Sequence, residues 1–164
     1  MKIFLIGMMG AGKSYWAQKL AAAHGMDWID LDAQVEKATQ MSIAEIFETE
    51  GEDYFRNKER EVLQQLSVFD HLIIATGGGL PCFHDNMDWM NKNGITIWLY
   101  EPIEVLVKRL LPEKKHRPLI KDLSDEELSG FLSKRLAERK PFYSKAQHHL
   151  QGTISENSFS ILNL

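Results

Sequence analysis

A single cysteine, Cys82, stands among 164 residues. An intrachain disulfide is therefore impossible, and a small secreted scaffold held by bridges is excluded. Cys82 itself reads as a small apolar side chain. No apolar run is long enough to cross a bilayer. The opening stretch, Met1–Ile6, meets glycine too soon to be a signal peptide, so the cytoplasm is the expected location. An excess of positive charge is also missing. The 19 Lys+Arg against 23 Asp+Glu leave a formal net charge of −4, so composition offers no footprint for nucleic acid. Any anion site must be built by gathering cations locally. Repeats, low-complexity tracts and linkers are absent, which points to one domain over residues 1–164. No exposed apolar stripe stands out either, and a monomer is expected.

What is present is an ordinary globular balance, 44% hydrophobic and 26% charged, in a chain long enough to bury a core without staples. Short apolar runs at Lys2–Ile6, Met26–Asp30, His71–Thr76 and Ile95–Tyr100 read as strands, with Leu150–Thr153 as a fifth. Helical patterns fall between them. They cover Lys13–Ala23, Asp32–Thr39, a capping-box start at Ser42–Glu45, Glu52–Leu66, Asp85–Lys92, Ile103–Leu111 and Asp125–Arg139. Alternating strands and helices predict an α/β fold with a parallel sheet. The helical stretch over residues 32–66 exceeds what one crossover needs and reads as an inserted subdomain.

Gly7-Met-Met-Gly10-Ala-Gly12-Lys13-Ser14 matches G-x-x-x-x-G-K-[ST] between a strand and a helix, as a phosphate loop requires. Glycines let successive N–H groups turn toward one anion, and the helix that follows adds its positive dipole end. Lys13 is placed to reach the β- and γ-phosphates of a nucleotide, and Ser14 to ligate Mg²⁺.

Other features are two-sided. Asp30 and Asp32 end the second strand, where ligands bind in open α/β sheets. Spaced i, i+2 in extended chain, they would face one side and share Mg²⁺ and proton chemistry, or Asp32 merely caps a helix. Arg56 within Gly51–Glu59 is either a functional cation or part of a solvated face paired with Glu59. Gly77-Gly78-Gly79 costs backbone entropy, which suggests that something approaches the backbone closely. Lys108–Arg117 gathers positive charge before Pro118. It reads as a solvated basic loop or as a lid whose Arg117 swings onto phosphate.

Taken together, GMMGAGKS at Gly7–Ser14, DLD at Asp30–Asp32, GEDYFRNKE at Gly51–Glu59, GGG at Gly77–Gly79, RPL at Arg117–Leu119 and RKPFY at Arg139–Tyr143 resemble the shikimate kinase family. The resemblance spans essentially the whole chain. The phosphate loop is shared with many kinases, whereas G-E-x-x-F-R-x-x-E with the triple glycine is far more specific. The resemblance implies a P-loop NTPase-type three-layer α/β fold with a five-stranded parallel sheet in the order 2-3-1-4-5. It adds a shikimate-binding helical subdomain at residues 32–66 and a lid at residues 111–124. It also implies transfer of the ATP γ-phosphoryl group to the 3-hydroxyl of shikimate, with Mg²⁺, in aromatic amino acid (chorismate) biosynthesis.

Carried over by residue, Gly10, Ala11, Gly12, Lys13, Ser14 and Tyr15 would hold the nucleotide, and Arg109 would stack on its base. Ser14 and Asp30 would organise Mg²⁺. Asp32 would bind shikimate hydroxyls and act as base or orienter. Arg56 and Arg139 would clamp the carboxylate. Gly78 and Gly79 would contact the ring, and Phe55 would line its pocket. Lys13 and Arg117 would face each other across the phosphates. One departure is visible: the stretch after Thr153 is shorter than the family's usual closing helix, which bears on the adenine-side loop near Gly152. On the same residues, a gluconate-type kinase and a nucleotide-dependent switch are the rival readings.

Overall fold

The computed structural model describes residues 1–162. Five strands form one parallel sheet in the order β2-β3-β1-β4-β5, as the resemblance implied. The central strands are β1 (Lys2–Ile6), β3 (Leu72–Ala75) and β4 (Ile95–Tyr100). Their near-continuous apolar runs are buried, as expected for a parallel sheet covered by helices. The outer strand β2 (Asp27–Asp30) is half exposed. At the other edge, β5 (His148–Gln151) begins two residues before the expected Leu150. Its sequence, HHLQ, buries only Leu150, so periodicity carried little signal there.

Helix α1 (Lys13–His24) follows the phosphate loop. Between β2 and β3 stand α2 (Leu31–Thr39), α3 (Ile43–Thr49) and α4 (Glu52–Gln65). The capping box expected at Ser42 is formed: Glu45 N–H donates to Ser42 Oγ and the Glu45 carboxylate accepts from Ser42 N–H. Then come α5 (Asn86–Asn93), α6 (Ile103–Leu110) and α7 (Asp125–Tyr143).

Helix α7 outruns its expected end at Arg139 by a full turn and passes through Pro141. Tertiary packing overrides the proline here, because Tyr143 is wholly buried against Trp98 of β4. The stretch after Thr153 forms 3₁₀ turns over Glu156–Leu162 that bury Phe159 and Leu162 in place of a fuller helix. Residues Leu111–His116 wind into a 3₁₀ turn, although loop was expected from Pro112 onward. Beyond them Ile120 is wholly buried while Leu119 is exposed. Lys114 Nζ ties this segment to α7 by donating to Leu123 O and Asp125 Oδ1.

The loops that leave the carboxyl ends of β1, β2, β3 and β4 all open at one edge of the sheet. That edge is where an open α/β sheet binds its ligands.

Candidate active site

The phosphate loop is unstrained only with glycine at its turns. Gly10 and Gly12 adopt φ of 79° and 92°, in the left-handed region that disfavours side chains. Ala11 is buried beneath the loop, and its N–H closes the turn on Met8 O at 3.1 Å. Lys13 curls over the loop and donates to Gly7 O and Met8 O, both at 2.8 Å. Burial pushes its ammonium down to about 8, against the pull of the Asp32 carboxylate, with the Arg139 guanidinium adding to the depression.

Asp30, not Asp32, caps α2, because Asp30 Oδ1 accepts from Asp32 N–H at 3.0 Å and from Ala33 N–H at 3.4 Å. The helix begins at Leu31, so the expectation of two aspartates in one extended strand does not hold. The cap leaves Asp30 Oδ2 free to accept from Ser14 Oγ at 2.8 Å. It also leaves the Asp32 side chain to be carried into the site by the first helical turn. Asp32 Oδ1 is buried without a hydrogen-bond partner. Burial first, then the neighbouring Asp30 charge, raises the Asp32 carboxyl above the usual carboxylate range, opposed by Lys13 and Arg56.

These groups border a cavity of about 580 Å³ over the phosphate loop. Gly10, Gly12, Ser14 and Tyr15 form its floor, and Arg109 and Arg117 stand at its walls. Arg109 is held in a fork. One nitrogen donates to Gly10 O and the other to Glu101 Oε1, both at 3.0 Å. Arg117 is half exposed and paired with Glu113 of its own segment at 2.8 Å, an exposed pair that is cheap to break.

A second cavity of about 480 Å³ adjoins the first, and Met9, Asp32, Gly77, Gly78 and Arg117 border both. Besides Arg117, it is lined by two further cations, Arg56 from α4 and Arg139 from α7. The triple glycine lets these two guanidinium groups lie directly against the backbone. A Cβ on Gly78 would stand 2.8 Å from Arg139 Nη1, and one on Gly79 would stand 2.5 Å from Arg56 Nη2. Arg56 is fixed by Glu59 at 2.9 Å and by the face of Phe83, 4.0 Å from its Cζ. Glu59 is wholly buried, which pushes its carboxyl up to about 7 although Arg56 pulls the other way. Phe55 is buried, and the ring at the cavity wall is that of Phe47, 4.9 Å from it.

Sequence reasoning missed Phe83, Met9, Glu101 and Tyr143, and it treated Glu59 only as half of a surface pair. Each acts through a contact distant in the chain or on a motif's far side, and only the quoted RKPFY run pointed toward Tyr143.

Hard oxygen donors at Ser14 and Asp30 suit a divalent cation that arrives on nucleotide phosphates. Among the described residues no three His, Cys, Asp or Glu converge to hold a metal by themselves.

The phosphate loop yields a pH-dependent binding prediction. With Lys13 near 8 in the free protein, it is mostly neutral at pH 8.5. Bound phosphates restore its charge, so nucleotide binding at pH 8.5 takes up more than half a proton, and the affinity that Lys13 contributes rises as pH falls through 8. Titration calorimetry of ADP in buffers of differing ionisation enthalpy reads this directly. Equal enthalpies in all buffers would contradict it.

The shikimate kinase family model matches residues 9–163. A shikimate kinase of Parabacteroides distasonis is 43% identical over 145 residues, covering 88% of this chain and 84% of the relative. The crystal structure of a shikimate kinase from Bacteroides thetaiotaomicron superposes with a TM-score of 0.94 at 36% identity, covering 100% of this chain and 99% of that one. A shikimate kinase from Acinetobacter baumannii, solved in complex with shikimate, superposes with a TM-score of 0.86 at 33% identity, covering 99% of this chain and 90% of that one. Fold and sequence relationship agree over most of the chain: this chain belongs to the shikimate kinase family.

Proposed function

We propose that this enzyme transfers the γ-phosphoryl group of ATP to the 3-hydroxyl of shikimate, giving shikimate 3-phosphate and ADP in aromatic amino acid biosynthesis. One observation carries the reading. The unpartnered, buried Oδ1 of Asp32 lies where a cation-walled phosphate cavity meets a cavity to which Arg56 and Arg139 add their guanidinium groups. An acceptor with a carboxylate at one end and a hydroxyl at the other fits that polarity.

In this reading the backbone of the phosphate loop, with Gly10, Ala11, Gly12 and Tyr15, cradles the nucleotide, and Arg109 faces its base. Lys13 and Arg117 offset charge on the transferring group. Arg117 leaves Glu113 to do so, and residues 111–124 act as a lid. Arg56 and Arg139 grip the shikimate carboxylate above Gly78 and Gly79, with Phe55 supporting Phe47 behind the ring. Asp32 accepts from the 3-hydroxyl and orients it in line with phosphorus. Ser14 and Asp30 would hold Mg²⁺, which would neutralise part of the phosphate charge. Apart from the proton that Asp32 takes, the catalysis is positioning and electrostatics, with no covalent enzyme intermediate.

No helix among the described residues is long and apolar enough to cross a membrane. We place the enzyme in the cytoplasm, as a monomer of one domain in which residues 32–66 bind the acceptor.

Coupled ADP release across shikimate, quinate, gluconate and water tests the assignment. Release with shikimate alone, at rates far above water, is expected. A preference for gluconate, or ATP binding without turnover, would overturn it. The clamp has its own test. Arg56→Leu raises the shikimate KM on the order of a hundredfold, because a desolvated carboxylate loses one arm of its grip, while ADP affinity is retained. Unchanged shikimate affinity would remove Arg56 from the clamp.

A further inference from the structure

The RKPFY run supplies Arg139 to the proposed clamp and leaves Tyr143 without a task. Tyr143 lies one turn after Arg139 on α7, wholly buried. Its hydroxyl donates to the Gly78 carbonyl at 2.6 Å. Burial keeps the phenol protonated by raising it well above its ordinary value, so the group remains a donor. The same hydroxyl lies 3.9 Å from Met8 Sδ, and that sulfur is also 3.9 Å from Arg139 Nη1. A Cβ on Gly78 would stand 3.5 Å from Gly7 O. One buried junction thus joins three separate segments: the phosphate loop through Gly7 and Met8, the triple glycine through Gly78, and α7 through Arg139 and Tyr143.

We propose that Tyr143 is a positioning residue for the acceptor: its hydroxyl sets the Gly78 carbonyl, and with Met8 it sets the seat of Arg139 relative to the phosphate loop. The inference rests on the proposed reading of Gly78 and Arg139 as acceptor contacts. Tyr143 itself borders neither cavity and reaches the acceptor only through these two neighbours. The phosphate loop keeps its own closing bond, Ala11 N–H to Met8 O. Loss of the hydroxyl should therefore weaken the acceptor side and spare nucleotide binding.

Tyr143→Phe keeps the ring and its packing on Trp98 and deletes only the donor. Steady-state kinetics are expected to show a shikimate KM raised about tenfold, the loss of one buried hydrogen bond. The ATP KM stays within about twofold, because no nucleotide contact is removed. A lower melting temperature with both KM values unchanged would mean a merely structural hydroxyl and overturn the proposal. Met8→Leu, which conserves volume, carries the test if Tyr143→Phe does not fold. It should raise the shikimate KM in the same direction, by less, and an unchanged value would overturn the proposal. Wild-type protein that turns over no shikimate would sink the underlying reaction. Active wild type with an unaltered Tyr143→Phe would sink only the role of Tyr143.

Discussion

Asparagine in place of Asp32 lowers turnover by a factor on the order of 10²–10⁴ and changes the shikimate KM only a few-fold. The side chain keeps its shape and can still hydrogen-bond a hydroxyl, but it can no longer take the proton. Asp32 has what a base needs. Its Oδ1 is buried without a partner, and burial makes its carboxylate more basic than usual. The substitution has a second consequence. The Asp32 charge is the largest influence holding the Lys13 ammonium up against burial. Without it, Lys13 of the nucleotide-free enzyme titrates lower, so kcat/KM for ATP of Asp32→Asn should fall away at lower pH than that of wild type on the alkaline side. Pre-steady-state quench measurements read the loss in the chemical step, and kcat/KM for ATP across pH 6–9 reads the Lys13 shift. Turnover within threefold of wild type would exclude Asp32 as proton acceptor.

Lys13→Met is expected to cost at least 10²–10³ in turnover, the usual penalty for removing one preorganised charge from a developing anion. Methionine matches the stem of lysine, so shikimate binding and the fold are spared. ATP affinity falls less than turnover does, because the loop amides and the dipole of α1 still attract the phosphates. The empty loop loses two lysine hydrogen bonds, to Gly7 O and Met8 O. A small drop in melting temperature is therefore part of the expected result. Near-normal turnover would contradict the phosphate role, and equal losses in ATP and shikimate binding would point to a collapsed loop.

The two substitutions draw on parts of the chain that were unequally legible in its sequence. The phosphate loop could be read outright, since glycines at positive φ followed by lysine and serine answer a local geometric demand. The central strands could be read because burial on both faces writes an unbroken apolar run. Strand order could not be derived from the strands themselves and came from resemblance. The edge strand β5 was misplaced because HHLQ has almost nothing to bury. The division of labour between Asp30 and Asp32 turned on which residue begins α2, a one-residue matter that spacing does not decide. The junction of Met8, Gly78, Arg139 and Tyr143 was invisible for another reason. Its members are up to 135 residues apart, and no local periodicity marks them.

The same distinction applies to Arg56. Its pairing with Glu59 was legible as an i, i+3 contact, and that contact alone suggested a solvated helix face. The fold reverses the sense of the pair. Glu59 is wholly buried and Arg56 nearly so, stacked on Phe83 from a different loop. A buried carboxylate that fixes a guanidinium over Gly79 is a costly arrangement to keep without a ligand to grip.

A crystal of the ternary complex with ADP and shikimate tests the central claim most directly. The account predicts the acceptor carboxylate between Arg56 and Arg139 above the triple glycine, and the 3-hydroxyl within hydrogen-bond distance of Asp32 Oδ1, pointing toward the β-phosphate of ADP. A ring bound the other way round, or both guanidinium groups turned away from it, would contradict the account.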